Sequence, residues 1–141
     1  MRKADSLSLT NVVFVGRLPR DSYLELLCSA AAGIAVTVGG VSIPSFPSKT
    51  VDYCRCGLPV IASTEETSDF GEVIESHAGG LKCDAGDAMG LASAIETLYR
   101  EWVSGEIVSR RQASHRFFQE SLTSEQAASS VLSARPRGRR T

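Results

Sequence analysis

The sequence has little of what marks a secreted, membrane-spanning or nucleic-acid-binding protein. No apolar run approaches the length that crosses a bilayer, and the first ten residues, MRKADSLSLT, lack the apolar core of a signal peptide. We therefore expect a cytoplasmic protein. The net charge of -1 provides no general basic field, so no nucleic-acid partner is expected.

Two common phosphate-binding motifs are also absent. The apolar stretch VVFV is not followed by G-x-G-x-x-G, and the chain has no P-loop, which argues against a dinucleotide dehydrogenase and against an NTPase. The four cysteines, at positions 28, 54, 56 and 83, follow neither a disulfide framework nor a metal-ligand spacing. We interpret them as structural thiols and expect no metal site.

What the sequence does contain is an alternation of short apolar runs and amphipathic stretches. With 141 residues, 43% of them hydrophobic and 22% charged, the chain has the size and composition of one globular domain. The apolar runs are typical of buried strands at 11–16, 33–38, 58–63 and 79–83. Strands that alternate with helices predict an α/β fold, here a parallel sheet of about four strands with helices on both faces.

The helices carry their usual boundary signals. Asp87 is placed to cap a long helix that Gly105 ends, and Thr123-x-x-Gln126 is a capping box that opens the last helix. The apolar face predicted for the long helix consists of Leu91, Ile95, Leu98 and Trp102. The predicted helices cover about 21–32, 47–56, 69–78, 88–104, 106–121 and 124–134.

The ligand site of a parallel α/β sheet lies at the carboxyl ends of its strands. In this sequence those ends lead into Gly16-Arg17, the 39–46 loop and residues 63–69. The middle loop leads to Pro47, which suits the first turn of a helix because a missing N–H costs nothing there. We therefore expect a ligand near the start of that helix.

The residues after Pro47 have the chemistry of an anion site. The amide groups of Ser48, Lys49 and Thr50 would lie at the positive end of the helix, where they favour phosphate, and Lys49 adds a full positive charge. Asp52 shares a side of the helix with Lys49 and could accept hydrogen bonds from a sugar diol, so the pattern describes a nucleotide. A plainer interpretation stays open, in which Ser48 caps the helix, Lys49 is solvated and Asp52 is a favourable first-turn charge.

Three stretches resemble one enzyme family, in its order and spacing: VVFVGRLPRDSYLELLCSAAAGIAV, PSFPSKTVDYCRCGLPVIAS and GEVIESHAGGLKCDAGDAMGLASAIETL. They are similar to the C-terminal, nucleotide-sugar-binding domain of the GT-B glycosyltransferases of family 4, also called group 1. The segment PSKTVDY is most similar to members that build bacterial surface polysaccharides. The resemblance implies a Rossmann-like, three-layer αβα domain and a nucleotide-sugar donor, with UDP the family's commonest carrier and no cofactor.

The resemblance also implies roles for individual residues. Asp52 falls at the second glutamate of the family motif, which holds the ribose, whereas Pro44 stands where the first glutamate would be. The catalytic residues are therefore unknown. Gly16 and Arg17 match the loop beside the base, and backbone amides after Pro44 would face the sugar or the diphosphate. The donor-binding residues implied or expected are Gly16, Arg17, Ser45, Phe46, Ser48, Lys49, Thr50 and Asp52.

The resemblance implies that the family's acceptor-binding half is not part of these 141 residues. We expect a lead-in at 1–10, an incomplete donor-binding domain at 11–133 and a basic disordered tail at 134–141. Such a domain would be inactive alone and would pair with an N-terminal half or with itself. Lipid-linked acceptors in the family imply a position at the inner face of the membrane, which the tail arginines could contact. The alternative is a non-catalytic module that binds a nucleotide or a partner protein, so whether the chain is an enzyme stays open.

Overall fold

The computed structural model describes residues 6–37, 46–65 and 67–133. In order, the elements are α1 (Arg20–Ser29), β1 (Gly33–Val36), α2 (Lys49–Arg55), β2 (Val60–Thr64), α3 (Phe70–His77), β3 (Leu81–Asp84), α4 (Ala88–Ser104), α5 (Ile107–Phe117), a π-helical segment (Phe118–Leu122) and α6 (Ser124–Ser133). None of these helices is long and apolar enough to cross a membrane. Part of the predicted lead-in, residues 1–5, and all of the predicted tail lie outside the described residues.

The described strands form one parallel sheet in the order β1-β2-β3, with β2 in the centre. Gly33 pairs with Val60 and Ile61 pairs with Leu81, which sets the register. Parallel neighbours need crossover connections, and α2 and α3 lie in the two connections of this sheet. The predicted α/β class is confirmed as a Rossmann-like arrangement, a parallel three-stranded sheet flanked by helices.

The core lies on both faces of β2, all five residues of which are buried. A central parallel strand reads as a continuous apolar run for this reason. On one face, β2 packs with residues from α2, α3 and α5, namely Cys54, Phe70, Ile74 and Phe117. On the other face, Ile61 packs against Ala94 and Leu98 of α4. Helices therefore cover the central strand from both sides.

Residues 11–16, predicted as the first strand, are not a strand in the structure. Val12, Val13 and Val15 are between 42% and 80% exposed. Strand formation needs a neighbouring edge for the backbone, and among the described residues no strand pairs with this segment. The prediction of a strand was wrong. Apolar composition indicates a preference for strand structure, but a strand forms only where a neighbouring strand is available to pair with it.

The sheet face toward α4 is only partly covered. Ile34 and Val36 of β1 point to this face and are exposed, and on α4 itself Ile95 and Trp102 are about half exposed. The predicted apolar face of α4 is thus buried only where β2 and β3 lie beneath it, at positions such as Leu98. Beside β1, the helix has no further strand under it in the described part of the chain.

The boundary signals of the last helices are confirmed. The Asp87 carboxylate accepts a hydrogen bond from the Gly90 amide at 2.9 Å, and Gly105 ends α4 with φ 81°, a left-handed conformation that glycine adopts without strain. The Thr123 hydroxyl accepts from the Gln126 amide at 3.3 Å, which is one of the two hydrogen bonds of a capping box.

Helix α5 is fastened to the rest of the domain by buried polar contacts. The Ser114 hydroxyl, fully buried, donates to the carbonyl of Leu58 at 2.6 Å. The Arg110 guanidinium donates to both oxygens of Glu101, at 2.5 and 2.8 Å, and to the carbonyl of Gly79 at 2.9 Å. These bonds connect α5 to α4 and to the turns before β2 and β3, so α5 belongs to the same folded unit as the sheet.

Candidate functional site

The carboxyl ends of the strands lie together at one edge of the sheet, as the register requires. Directly after β1, the Thr37 hydroxyl donates to a carboxylate oxygen of Glu65, which directly follows β2. This hydrogen bond, together with a backbone contact of Glu65, holds the pKa of the Glu65 carboxyl below its ordinary value. Glu65 is therefore an ionised, largely buried acceptor at the edge where ligands of such sheets bind.

A small polar cleft lies beside Glu65, between β2, β3 and the start of α3. Its volume is about 140 Å³. Lys82 Nζ lies 3.0 Å from Glu72 Oε1 there, and this ion pair lowers the pKa of Glu72 and raises that of Lys82. The cleft is lined by Thr64, Glu65, Ser68, Gly71, Glu72, Lys82, Cys83 and Asp84. In the described residues, no group of three or more His, Cys, Asp or Glu side chains is placed to hold a metal ion.

Helix α2 begins at Lys49, close to the predicted start. Ser48 occupies the N-cap position, as the plainer interpretation expects, but its hydroxyl makes no capping hydrogen bond. The Thr50 amide donates to the Pro47 carbonyl at 2.9 Å and is therefore not free for an anion, contrary to the sequence prediction. The first turn of the helix has 3₁₀-type hydrogen bonding, from residue 50 to residue 47, which occupies that amide within the helix. Lys49 remains the exposed cation at this end of the helix.

Asp52 already has a partner in the structure. Arg20, from the first turn of α1, donates to both carboxylate oxygens of Asp52, at 2.6 and 2.7 Å. These hydrogen bonds, with a smaller contribution from the charge of Arg55, hold the pKa of Asp52 below its ordinary value. The Asp52 side chain is 18% exposed and that of Arg20 is 56% exposed, so Arg20 covers Asp52 from the solvent side. An Asp52 that bound a ribose diol would have to exchange this guanidinium for hydroxyl groups.

Phe46 connects the segment before α2 to the next helix. Its ring meets the buried ring of Phe70, the first residue of α3, edge to face with the centroids 4.8 Å apart. Phe46 is 43% exposed, so it closes the side of the site toward α3 and also presents an aromatic surface to solvent. Ser45, predicted beside it, lies outside the described residues.

Comparison with known proteins shows the family to which this chain belongs. The profile of the glycosyl transferases group 1 family matches residues 1–101 of the 141. The chain belongs to the group 1 glycosyl transferases. No curated protein and no solved structure matches it significantly. A domain of this family implies a nucleotide-sugar substrate, and the match contains β1, β2, β3 and the start of α2.

The group 1 domain brings together only some of the predicted donor-binding residues. Lys49 and Asp52 lie on one short helix, and Phe46 precedes it. Gly16, with φ 70°, and Arg17 lie in the irregular segment before α1, and among the described residues no hydrogen bond or ion pair connects them to α2. They were expected to follow a strand that the structure does not form, so their place beside a nucleotide base stays a prediction.

Sequence reasoning missed two contacts near this sheet edge, those of Arg20 with Asp52 and of Thr37 with Glu65. Arg20 is separated from Asp52 by 32 positions, and Thr37 from Glu65 by 28. Nothing in the spacing indicates either pair. The parallel register could have suggested the second one, because Val36 opposite Ser63 places the residues that follow both strands side by side. The Arg20 pair has no such signal, since it depends on how α1 packs against α2.

Proposed function

We propose that this chain is the donor-binding part of a group 1 glycosyl transferase, with the nucleotide diphosphate at the start of α2. Membership of the family over residues 1–101 carries this proposal. Lys49 is the exposed cation at the positive end of α2 and would neutralise charge that develops on the departing diphosphate. The position of α2 after the carboxyl end of β1 agrees with the general rule for ligands of parallel sheets.

The ribose would bind at Asp52 by displacing Arg20. An ionised carboxylate is a hydrogen-bond acceptor only, and the lowered pKa of Asp52 keeps it in that form. Because Arg20 is more than half exposed, its pair with Asp52 contributes little to stability, as is usual for surface ion pairs. Two hydroxyl groups of a ribose can supply the hydrogen bonds that Asp52 loses when Arg20 leaves.

Calorimetric titration with UDP tests the site. The Asp52→Ala variant should bind UDP more weakly by about 1–3 kcal/mol, because a hydrogen-bonded charged acceptor is lost. Glu96→Ala is the matched control, since it removes another ion-paired carboxylate, that of the exposed Glu96–Arg100 pair on α4. Equal affinity of the Asp52 and Glu96 variants would reduce Asp52 to a helix-stabilising charge and would contradict the assignment.

We further propose that the sugar is transferred in surface-polysaccharide synthesis and that the 141 residues alone transfer none. Transfer requires donor and acceptor to be held in register, and a donor bound at the edge of this three-stranded sheet would lie open to solvent. Incubation with labelled UDP-sugars and lipid-linked acceptors should show transfer only after an N-terminal GT-B half is added. Turnover by the purified 141-residue chain would contradict this part of the proposal.

A second candidate function, an interaction module, is favoured by the partly uncovered sheet face. Ile34, Ile61 and Ile95 line an apolar groove of about 240 Å³ beside the exposed Val36. If a second copy of the chain covers this face, light scattering should detect a dimer of the unmutated chain, and Val36→Lys should abolish it. Val131→Lys on α6 should leave it unchanged, because Val131 is exposed elsewhere on the domain. A monomer at every concentration in the unmutated chain would exclude self-association.

A further inference from the structure

Two cysteines far apart in the sequence meet at the surface between α1 and α2. Cys28 Sγ lies 2.8 Å from Cys56 Sγ, and both residues are free thiols. Cys28 is in the last turn of α1, and Cys56 directly follows the last residue of α2. A disulfide bond is about 2.05 Å long, so the two sulfur atoms need to approach by only about 0.8 Å to form one. The sequence reasoning that treated all four cysteines as structural thiols gave no sign of this pair.

The pair opens into a cationic groove. The groove has a volume of about 640 Å³, and its lining includes Arg55, Arg111, His115 and Arg116 but no carboxylate. None of the three arginines has an ion-pair partner in the described part of the chain. Arg111 is held in place by its hydrogen bonds to the carbonyl groups of Ala30 and Cys56, at 2.9 and 3.4 Å. A groove with this charge attracts anions to the two thiols.

We propose that Cys28 and Cys56 form a reversible intramolecular disulfide by exchange with an anionic low-molecular-weight disulfide, such as oxidised glutathione. The Cys28 thiolate attacks one sulfur of the external disulfide, forms a mixed disulfide and releases the first glutathione thiolate. Cys56 then gives up its proton and attacks the Cys28 sulfur, releasing the second glutathione. The two protein thiols are oxidised by two electrons, and glutathione disulfide is reduced to two thiols.

The order of the two steps follows from the surroundings of each thiol. Cys28 is exposed and can be reached by an external disulfide, whereas Cys56 is half-buried. Burial, together with the hydrogen bond to the Cys28 thiol, raises the pKa of Cys56 to about 11. The exposed Cys28 is therefore the thiol that meets the external disulfide first, and Cys56 is the thiol that attacks second. The resulting bond would connect α1 to α2, the helix that carries Lys49 and Asp52, but its formation does not depend on the proposed donor site.

Tryptic mapping under non-reducing conditions tests the pairing in the unmutated chain. Because Lys49, Arg55 and Lys82 separate them, the four cysteines fall on four different peptides, 21–49, 50–55, 56–82 and 83–100. After treatment with oxidised glutathione, we expect one disulfide that connects 21–49 to 56–82, with 50–55 and 83–100 still reduced, and full reversal by dithiothreitol. A link to either of the other peptides, a lasting glutathione adduct at Cys28, or no oxidation would overturn the proposal.

Variants separate the roles of the thiols and of the charge. Cys56→Ser should accumulate the mixed disulfide at Cys28, whereas Cys83→Ser should oxidise like the unmutated chain. Arg116→Gln should slow oxidation by glutathione disulfide severalfold but leave oxidation by the neutral bis(2-hydroxyethyl) disulfide unchanged, because only the first oxidant is an anion. If Arg116→Gln slowed oxidation by both reagents equally, or slowed neither, the groove would have no role in attracting the anionic oxidant.

Discussion

Arg110 offers the sharpest test of how α5 is held, because a second arginine provides a control on the neighbouring helix. Arg110 and Glu101 are 25% and 19% exposed, whereas Arg100 and Glu96 are 70% and 66% exposed. Arg110→Ala removes two hydrogen bonds to Glu101 and one to each of the Gly79 and Gly80 carbonyls, and it leaves the Glu101 charge in a mostly buried place. Removing one member of a buried pair costs about 3–5 kcal/mol and a hydrogen bond to a charged group contributes about 1.5–3 kcal/mol. Because Arg110 and Glu101 are still partly exposed, we expect Arg110→Ala to lower the free energy of unfolding by about 2–3 kcal/mol.

Urea unfolding at neutral pH measures this loss. Arg100→Ala should change the free energy of unfolding by less than about 0.5 kcal/mol, as expected for an exposed i,i+4 pair. The double variant Arg110→Ala with Glu101→Ala should lose less than the sum of the single variants, because no unpaired charge remains. A loss at Arg110 no larger than that at Arg100 would refute the view that this ion pair fastens α5 to the sheet.

Further predictions follow from the same contacts. Ser114→Ala should lower the free energy of unfolding by about 1–3 kcal/mol, because it leaves the Leu58 carbonyl without its 2.6 Å donor, whereas Ser109→Ala, which loses only an exposed bond, should stay within about 0.5 kcal/mol. Folding lowers the pKa values of Asp52, Glu65 and Glu72. The stabilisation that these carboxylates provide is therefore fully present above about pH 5, and it is lost as the pH falls through their pKa values in the folded protein. Glu65→Gln should therefore flatten the acid side of a stability–pH profile measured by urea unfolding. The Cys28–Cys56 disulfide closes a loop between positions 28 apart and should raise the free energy of unfolding by about 3.5 kcal/mol, measured as the difference in urea unfolding between oxidised and reduced protein.

Local signals predicted the fold well because they act through neighbouring residues. Asp87 and Gly105 mark the ends of α4 in the sequence, and the structure confirms both through a hydrogen bond and a left-handed backbone angle. The apolar run at 58–63 likewise indicated a buried strand, and all five residues of β2 are buried. Residues 11–16 show the limit of this reasoning, since the same kind of run forms no strand when no neighbouring edge is paired with it.

Sequence reasoning could place candidate residues close together only where they lie on one element. The sequence placed Lys49 and Asp52 on the same side of a helix because they are three positions apart in α2. The Asp52–Arg20 pair and the Cys28–Cys56 pair depend on the packing of α1 against α2, which no local pattern encodes. The amide of Thr50 was misjudged for a different reason, because the bonding of the first turn depends on whether that turn is tight or open.

The location of bound UDP tests the central claim most directly. The start of α2 at Lys49 and the groove that includes Arg55, Arg111 and Arg116 are both positively charged surfaces of the described chain. In a titration of the isotope-labelled, fully reduced chain with UDP, followed by backbone amide chemical shifts, we predict the largest changes at Phe46, Lys49 and Asp52. Changes confined to the amides around Arg55 and Arg116, or no changes at all, would contradict a donor site at the start of α2.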